Sequence, residues 1–129
     1  MYEIKLSRIR FTNEADVTLK MMKARTGLTP NVICRLALAL SLDEPGIPRL
    51  TKETEKSQRE INRYTLLGEY DSVFMALVKT RLREDGVSPE DAEEQFVAHI
   101  HRGIQLLPNR VKSVADLAGL APTPSSSKK

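Results

Sequence analysis

The chain has 129 residues, a net charge of +3, 40% apolar side chains, 5% aromatic ones and no tryptophan. That length suits one domain with a modest core. No apolar run approaches the ~20 residues that span a bilayer, the polar start MYEIKLSRIRF is unlike a signal peptide, and a single cysteine, Cys34, leaves neither an internal disulfide framework nor a cysteine-rich zinc site.

Such cysteine usage suits a reducing cytoplasm, and few aromatics leave base stacking without platforms. The modest net charge hides an asymmetry. Residues 1–35 carry +4, residues 36–107 carry −4 and residues 108–129 carry +3. A basic beginning before an acidic middle is compatible with a polyanion met by the N-terminal segment.

In chain order, YEIKLSRIRF (2–11) alternates Ile4 and Leu6 with Glu3 and Lys5, then Ile9 and Phe11 with Arg8 and Arg10. The phase slips near Ser7, as at a bend or bulge. This pattern predicts a strand with an apolar and a basic face, whose hydrogen-bonding edge needs a partner in the chain or in another subunit. A helix follows, with Asn13 as its expected N-cap, Glu14 and Asp16 in the first turn and Gly27 as its C-cap. Thr29 and Pro30 then start a second helix as N-cap and first position.

Between Val32 and Leu42 only Arg35 and Ser41 interrupt the apolar side chains. A helix greasy on nearly every side asks to be covered, and copies of the chain are the expected cover. Val32, Ile33, Leu36 and Leu40 are its expected assembly core. The stretch 49–63 is rich in charge and reads as a solvated helix or a mobile connection. Helical spacing returns with Tyr70, Phe74, Leu77, Val78 and Leu82, ending at Asp85–Gly86. It returns again from Ser88–Pro89 with Ala92, Phe96, Ile100, Gly103, Ile104 and Leu107, where Pro108 is the expected stop. A short helix is expected after Ser113. The fold class is therefore mainly α, a compact helical bundle with one N-terminal β-strand. One domain is expected over 1–120, with a disordered tail over 121–129.

Chemical motifs are sparse. His99 and His101, two apart on a helix, point about 200° apart and cannot share an ion there, so no metal is expected. Glu69 and Asp71 are the nearest pair for a carboxylate-based nicking nuclease, although acids at a helix start have a simpler role. No nucleophile elbow or phosphate-binding loop is present, so neither catalysis nor a cofactor is expected. The basic residues are better candidates. Lys20 and Lys23 share one flank of the first helix and Arg25 falls on another, with Lys5, Arg8 and Arg10 on the strand before it. Lys20, Lys23 and Arg25 are the first choice for phosphate contact and the strand residues the second. The plain alternative is solvated surface, with Asp16 and Lys20 as an i,i+4 pair.

Strand, helix, TG-turn, helix is the order of ribbon–helix–helix proteins, whose inter-helix region RTGLTPNVICRLAL resembles. The β-α-α start implies two strands pairing across a dimer, and one alternative function is a ribbon–helix–helix transcription regulator. Three blocks, RTGLTPNVICRLALALSL (25–42), NRYTLLGEYD (62–71) and HIHRGI (99–104), resemble the DndE family of DNA sulfur-modification proteins over almost the whole chain. That resemblance implies a part in DNA phosphorothioation, the replacement of a non-bridging backbone oxygen by sulfur. It also implies homotetramers, nicked double-stranded DNA bound through lysines, and partner subunits: a cysteine desulfurase, an iron–sulfur protein and an ATPase-like subunit.

Overall fold

The computed structural model describes residues 2–113 and 115–116. Strand β1 (Arg8–Thr12) leads into helix α1 (Asn13–Thr26) and, after a glycine turn, helix α2 (Pro30–Asp43). Strand β2 (Lys56–Asn62) runs into a one-turn helix α3 (Arg63–Leu67), followed by α4 (Asp71–Asp85) and α5 (Ala92–Arg110). The architecture is mainly α with a two-stranded antiparallel ribbon at one side.

The strand expected at the N-terminus finds its partner within the chain. Ile9 pairs with Ile61 and Arg10 with Glu60, and an irregularity lies between Arg10 and Thr12. Ile9 and Phe11 are fully buried while Arg8 is exposed, as the alternation predicts. Residues 2–7 lie outside the strand but are strapped down. The backbone N–H groups of Lys5 and Leu6 donate to Glu93 Oε2 at 2.6 and 2.9 Å, and Arg63 donates to the carbonyl of Ile4.

Segment 49–63 corrects the sequence reading. Where a solvated helix or mobile connection was expected, a short 3-10 turn at Glu53–Glu55 leads into residues 56–62, which form β2. Its alternation is real but polar: Ser57, Arg59 and Ile61 face inward, while Gln58, Glu60 and Asn62 are exposed. Ser57 Oγ donates to the Phe11 carbonyl at 3.1 Å, and Arg59 meets Asp16. A pattern judged by apolar content misses a strand whose inward positions are satisfied by hydrogen bonds.

Helix α1 starts one residue earlier than expected. Thr12, not Asn13, is the cap, its Oγ1 accepting from Ala15 N–H at 3.1 Å. Gly27 ends the helix at φ 78°, a left-handed conformation that suits glycine, and Thr29 with Pro30 opens α2. Helix α5 runs on to Arg110 through Pro108. That residue removes one N–H from the helix ladder, yet Val111 N–H still reaches Leu107 O at 2.7 Å.

The core forms where α2 meets α5. Ile33, Cys34, Ala37, Leu38 and Ser41 of α2 are buried, as are Phe96, Ile100, Gly103, Ile104 and Leu107 of α5. Gly103 sits against the Ala37 carbonyl so closely that a Cβ there would lie 1.7 Å from the oxygen. The chain thus covers one side of the apolar helix itself. Ile33, expected in the assembly core, is 1% exposed and packs within the chain's own core. Val32, Leu36 and Leu40 remain half-buried and Ala39 exposed, and exposed Leu77 of α4 lies beside Ala39 and Leu42. The helix expected after Ser113 and the tail over 121–129 lie mostly or wholly outside the described residues.

Candidate nucleic-acid interface

Lys20 and Lys23 stand three residues apart on α1, so both project from one flank of the helix. They line a groove of about 490 Å³ together with Leu19, Ala24, Pro30 of α2 and Arg59 of β2. Asp16 lies at one end, its Oδ2 3.6 Å from Lys20 Nζ and its Oδ1 2.5 Å from Arg59 Nε. The Arg59 hydrogen bond and charge, aided by Lys20, hold the Asp16 carboxyl below its usual range. Lys23 makes no ion pair among the described residues and is exposed. Three cations around one carboxylate leave the groove with a net charge of +2.

The other expected contacts are arranged differently. Arg8 Nη1 binds Glu60 Oε1 at 2.7 Å, and Arg10 is divided between the Ser57 carbonyl and Glu53, each at 3.0 Å. The ribbon therefore neutralises its own basic face. Lys5 pairs with Glu3 at 3.5 Å on the strapped segment. Arg25 turns from the lysine flank to the end of α5, donating to the carbonyls of Pro108 at 3.3 Å and Val111 at 3.5 Å. There it complements the negative end of the helix dipole. Lys20 and Lys23 share a site; Arg25, Lys5, Arg8 and Arg10 do not join it. Arg59 is the member that sequence reading missed, and the available signal was the two-residue alternation of β2.

The histidines are structural. His101 donates through Nδ1 to the Val97 carbonyl at 2.9 Å and accepts at Nε2 from the Thr12 backbone N–H at 3.2 Å. His99 Nδ1 lies 2.8 Å from Ser41 Oγ, which itself accepts from Arg102 Nε at 2.9 Å. Burial, with the charges of Arg102 and Arg81 nearby, pushes His99 down to about 4. Burial also lowers His101.

Asp71 forms a two-pronged pair with Arg63 at 2.9 and 3.0 Å, whereas Glu69 is exposed. Among the described residues, no group of three or more histidine, cysteine or acidic side chains converges as metal ligands would. Cys34 is fully buried, and burial raises its thiol to about 12, which disfavours the thiolate. No helix among the described residues is long and apolar enough to cross a membrane.

The family model of the DNA sulphur modification protein DndE matches residues 8–115. The chain belongs to the DndE family. Its role accordingly lies in DNA sulphur modification. The fold is similar to that of DndE from Escherichia coli B7A, described as involved in DNA phosphorothioation modification. That likeness has a TM-score of 0.62 at 22% identity, over 81% of this chain and 99% of that one. A glycine-to-lysine mutant of DndE, described as involved in DNA phosphorothioation, matches at TM-score 0.61 and 22% identity, over 81% of this chain and 98% of that one. No curated protein matches the sequence significantly.

Within this DndE chain, the three recognisable blocks build the scaffold. Asn62 caps α3 through Oδ1, and Arg63 is buried against Asp71. Gly68, at φ 57°, leaves room for Arg35, whose Nε donates to the Leu66 carbonyl at 2.7 Å. Arg102 and Arg81 gather the carbonyls at the end of α2, Arg102 reaching Ser41 and Glu44 and Arg81 reaching Leu42 and Gly46. The cations of the groove, Lys20 and Lys23 of α1 and Arg59 of β2, lie outside these blocks.

Proposed function

We propose that the chain is a DNA-binding, non-catalytic component of the phosphorothioation system, meeting duplex DNA through backbone phosphates at the Lys20–Lys23 flank of α1. The observation that carries this reading is the groove itself: two lysines and an arginine around a single carboxylate, in a protein of a DNA-modifying family. A modification of the backbone targets phosphates, so charge contacts without base readout suffice to position such a subunit. Nicked duplex is the preferred form, because a nick lets the strand bend into a groove that a stiff duplex bridges less closely.

The assembly is a homotetramer joined through the half-buried Val32, Leu36 and Leu40 and the exposed Leu77 of α4. Such a patch on a small chain supports association. Self-assembly repeats the +2 groove around the particle and multiplies a weak contact. Other DNA sulfur-modification subunits are its partners, and the cytoplasm is its compartment. The intrachain ribbon weighs against a ribbon–helix–helix regulator, because both strands of the ribbon come from one subunit and its arginines are held by Glu60 and Glu53.

The test replaces Lys20 and Lys23 by Glu and follows DNA affinity across a salt series. The expected result is a large loss of affinity with a salt slope shallower by about one for each phosphate contact removed. A folded double variant with unchanged affinity and slope removes these residues from the site.

A further inference from the structure

Arg59 differs from its neighbours on the ribbon in how its donors are used. Arg8 and Arg10 direct terminal nitrogens at Glu60 of β2 and at Glu53 just before it. Arg63, Arg81 and Arg102 spend theirs on carboxylates or carbonyls of the fold. Arg59 is held through Nε alone, donated to Asp16 Oδ1, and its two terminal nitrogens meet no acceptor among the described residues. The side chain is 27% exposed and lines the same groove as Lys20 and Lys23. Asp16, also paired with Lys20, thus fixes a guanidinium while leaving its outer donor pair unspent.

We propose that Arg59 is a phosphate-binding residue, whose terminal nitrogens form with Lys20 and Lys23 a seat for a backbone phosphate of duplex DNA. The proposal rests on the DNA-binding reading above and names a contact from β2 that the lysine flank alone does not supply. A planar guanidinium matches two phosphate oxygens at once, which an ammonium does not. Anchoring at Nε removes rotamer freedom before the ligand arrives, so less entropy is lost on binding. Because Arg59 comes from the ribbon and the lysines from α1, the seat also fixes the direction from which the phosphate enters.

The experiment measures binding of a fluorescent duplex to the full chain and to Arg59→Gln and Arg59→Lys over a range of salt, with an unfolding curve for each. Arg59→Gln is expected to weaken binding about tenfold and flatten the salt slope by about one. Arg59→Lys, which retains the charge and can still pair with Asp16, is expected to keep the slope and lose several-fold in affinity. A folded Arg59→Gln with the parent's affinity and slope overturns the proposal. If Arg59→Gln does not fold, an Arg59→Lys protein as tight as the parent overturns it instead. If the parent binds no duplex at all, the DNA-binding reading fails separately. The seat is then judged by NMR titration with inorganic pyrophosphate: shifts at Arg59 Nε–H and at the Lys20 and Lys23 side chains sustain it, and their absence overturns it.

Discussion

Gly103 stands where the backbone of α5 comes nearest to α2. In most helix interiors, Gly→Ala stabilises by about 0.5–1 kcal/mol through backbone entropy. Here the added methyl would meet the Ala37 carbonyl at 1.7 Å, so the two helices must move apart. Gly103→Ala is expected to destabilise by about 1–3 kcal/mol, the range for overpacked cores, read as a drop in the denaturant midpoint. An increase would mean that the helices separate freely.

Asp71 and Glu69 separate the structural role from the nuclease role. Arg63 is nearly buried, so Asp71→Ala strands its charge and is expected to cost about 3 kcal/mol. Glu69→Gln, at an exposed position, should leave stability unchanged. His99 sets an expected pH dependence. Its folded value lies near 4, below its ordinary value, so below about pH 6.5 the unfolded chain takes up a proton that the folded chain refuses. Stability is therefore full above pH 6.5 and falls as pH drops. Between pH 7 and 5 the loss is about 1–2 kcal/mol, and His101 acts in the same direction. Denaturant unfolding at the two pH values checks this, and His99→Gln should reduce the difference.

At the scale of elements, the helices were legible because their signals are local. Thr29–Pro30, Gly27 and Gly86 mark ends wherever the rest of the chain lies, and the α5 stripe from Ala92 to Leu107 repeats at helical spacing. Strand β2 was not legible as a strand. Its inward Ser57 and Arg59 are satisfied by the Phe11 carbonyl and Asp16, both more than 40 residues away. The acidic partners of the basic strand are hidden for the same reason: Glu60 reaches Arg8 and Glu53 reaches Arg10 only in the tertiary fold. Lys20 and Lys23 could be placed together because three-residue spacing fixes a shared flank, whereas Arg59 needed the tertiary fold.

At the scale of the whole molecule, the sequence of α2 overstates what must be covered from outside. Its Ile33, Cys34, Ala37 and Leu38 are buried against the chain's own helices, and only the opposite side is left for a partner. Replacing Leu36 and Leu40 by Glu should leave the monomer folded and reduce the mass in solution to one chain, measured by light scattering. An unchanged mass would locate the assembly contact elsewhere. Loss of assembly should also weaken DNA binding without altering the groove, because each copy presents only a net +2.

The most direct test of phosphate-led DNA binding compares the affinity of the intact protein for nicked, unbroken and sequence-varied duplexes at several salt concentrations. The account predicts affinity that falls steeply with salt, favours the nick and is nearly indifferent to sequence. Strong discrimination among sequences, with equal binding to nicked and unbroken forms, would contradict it.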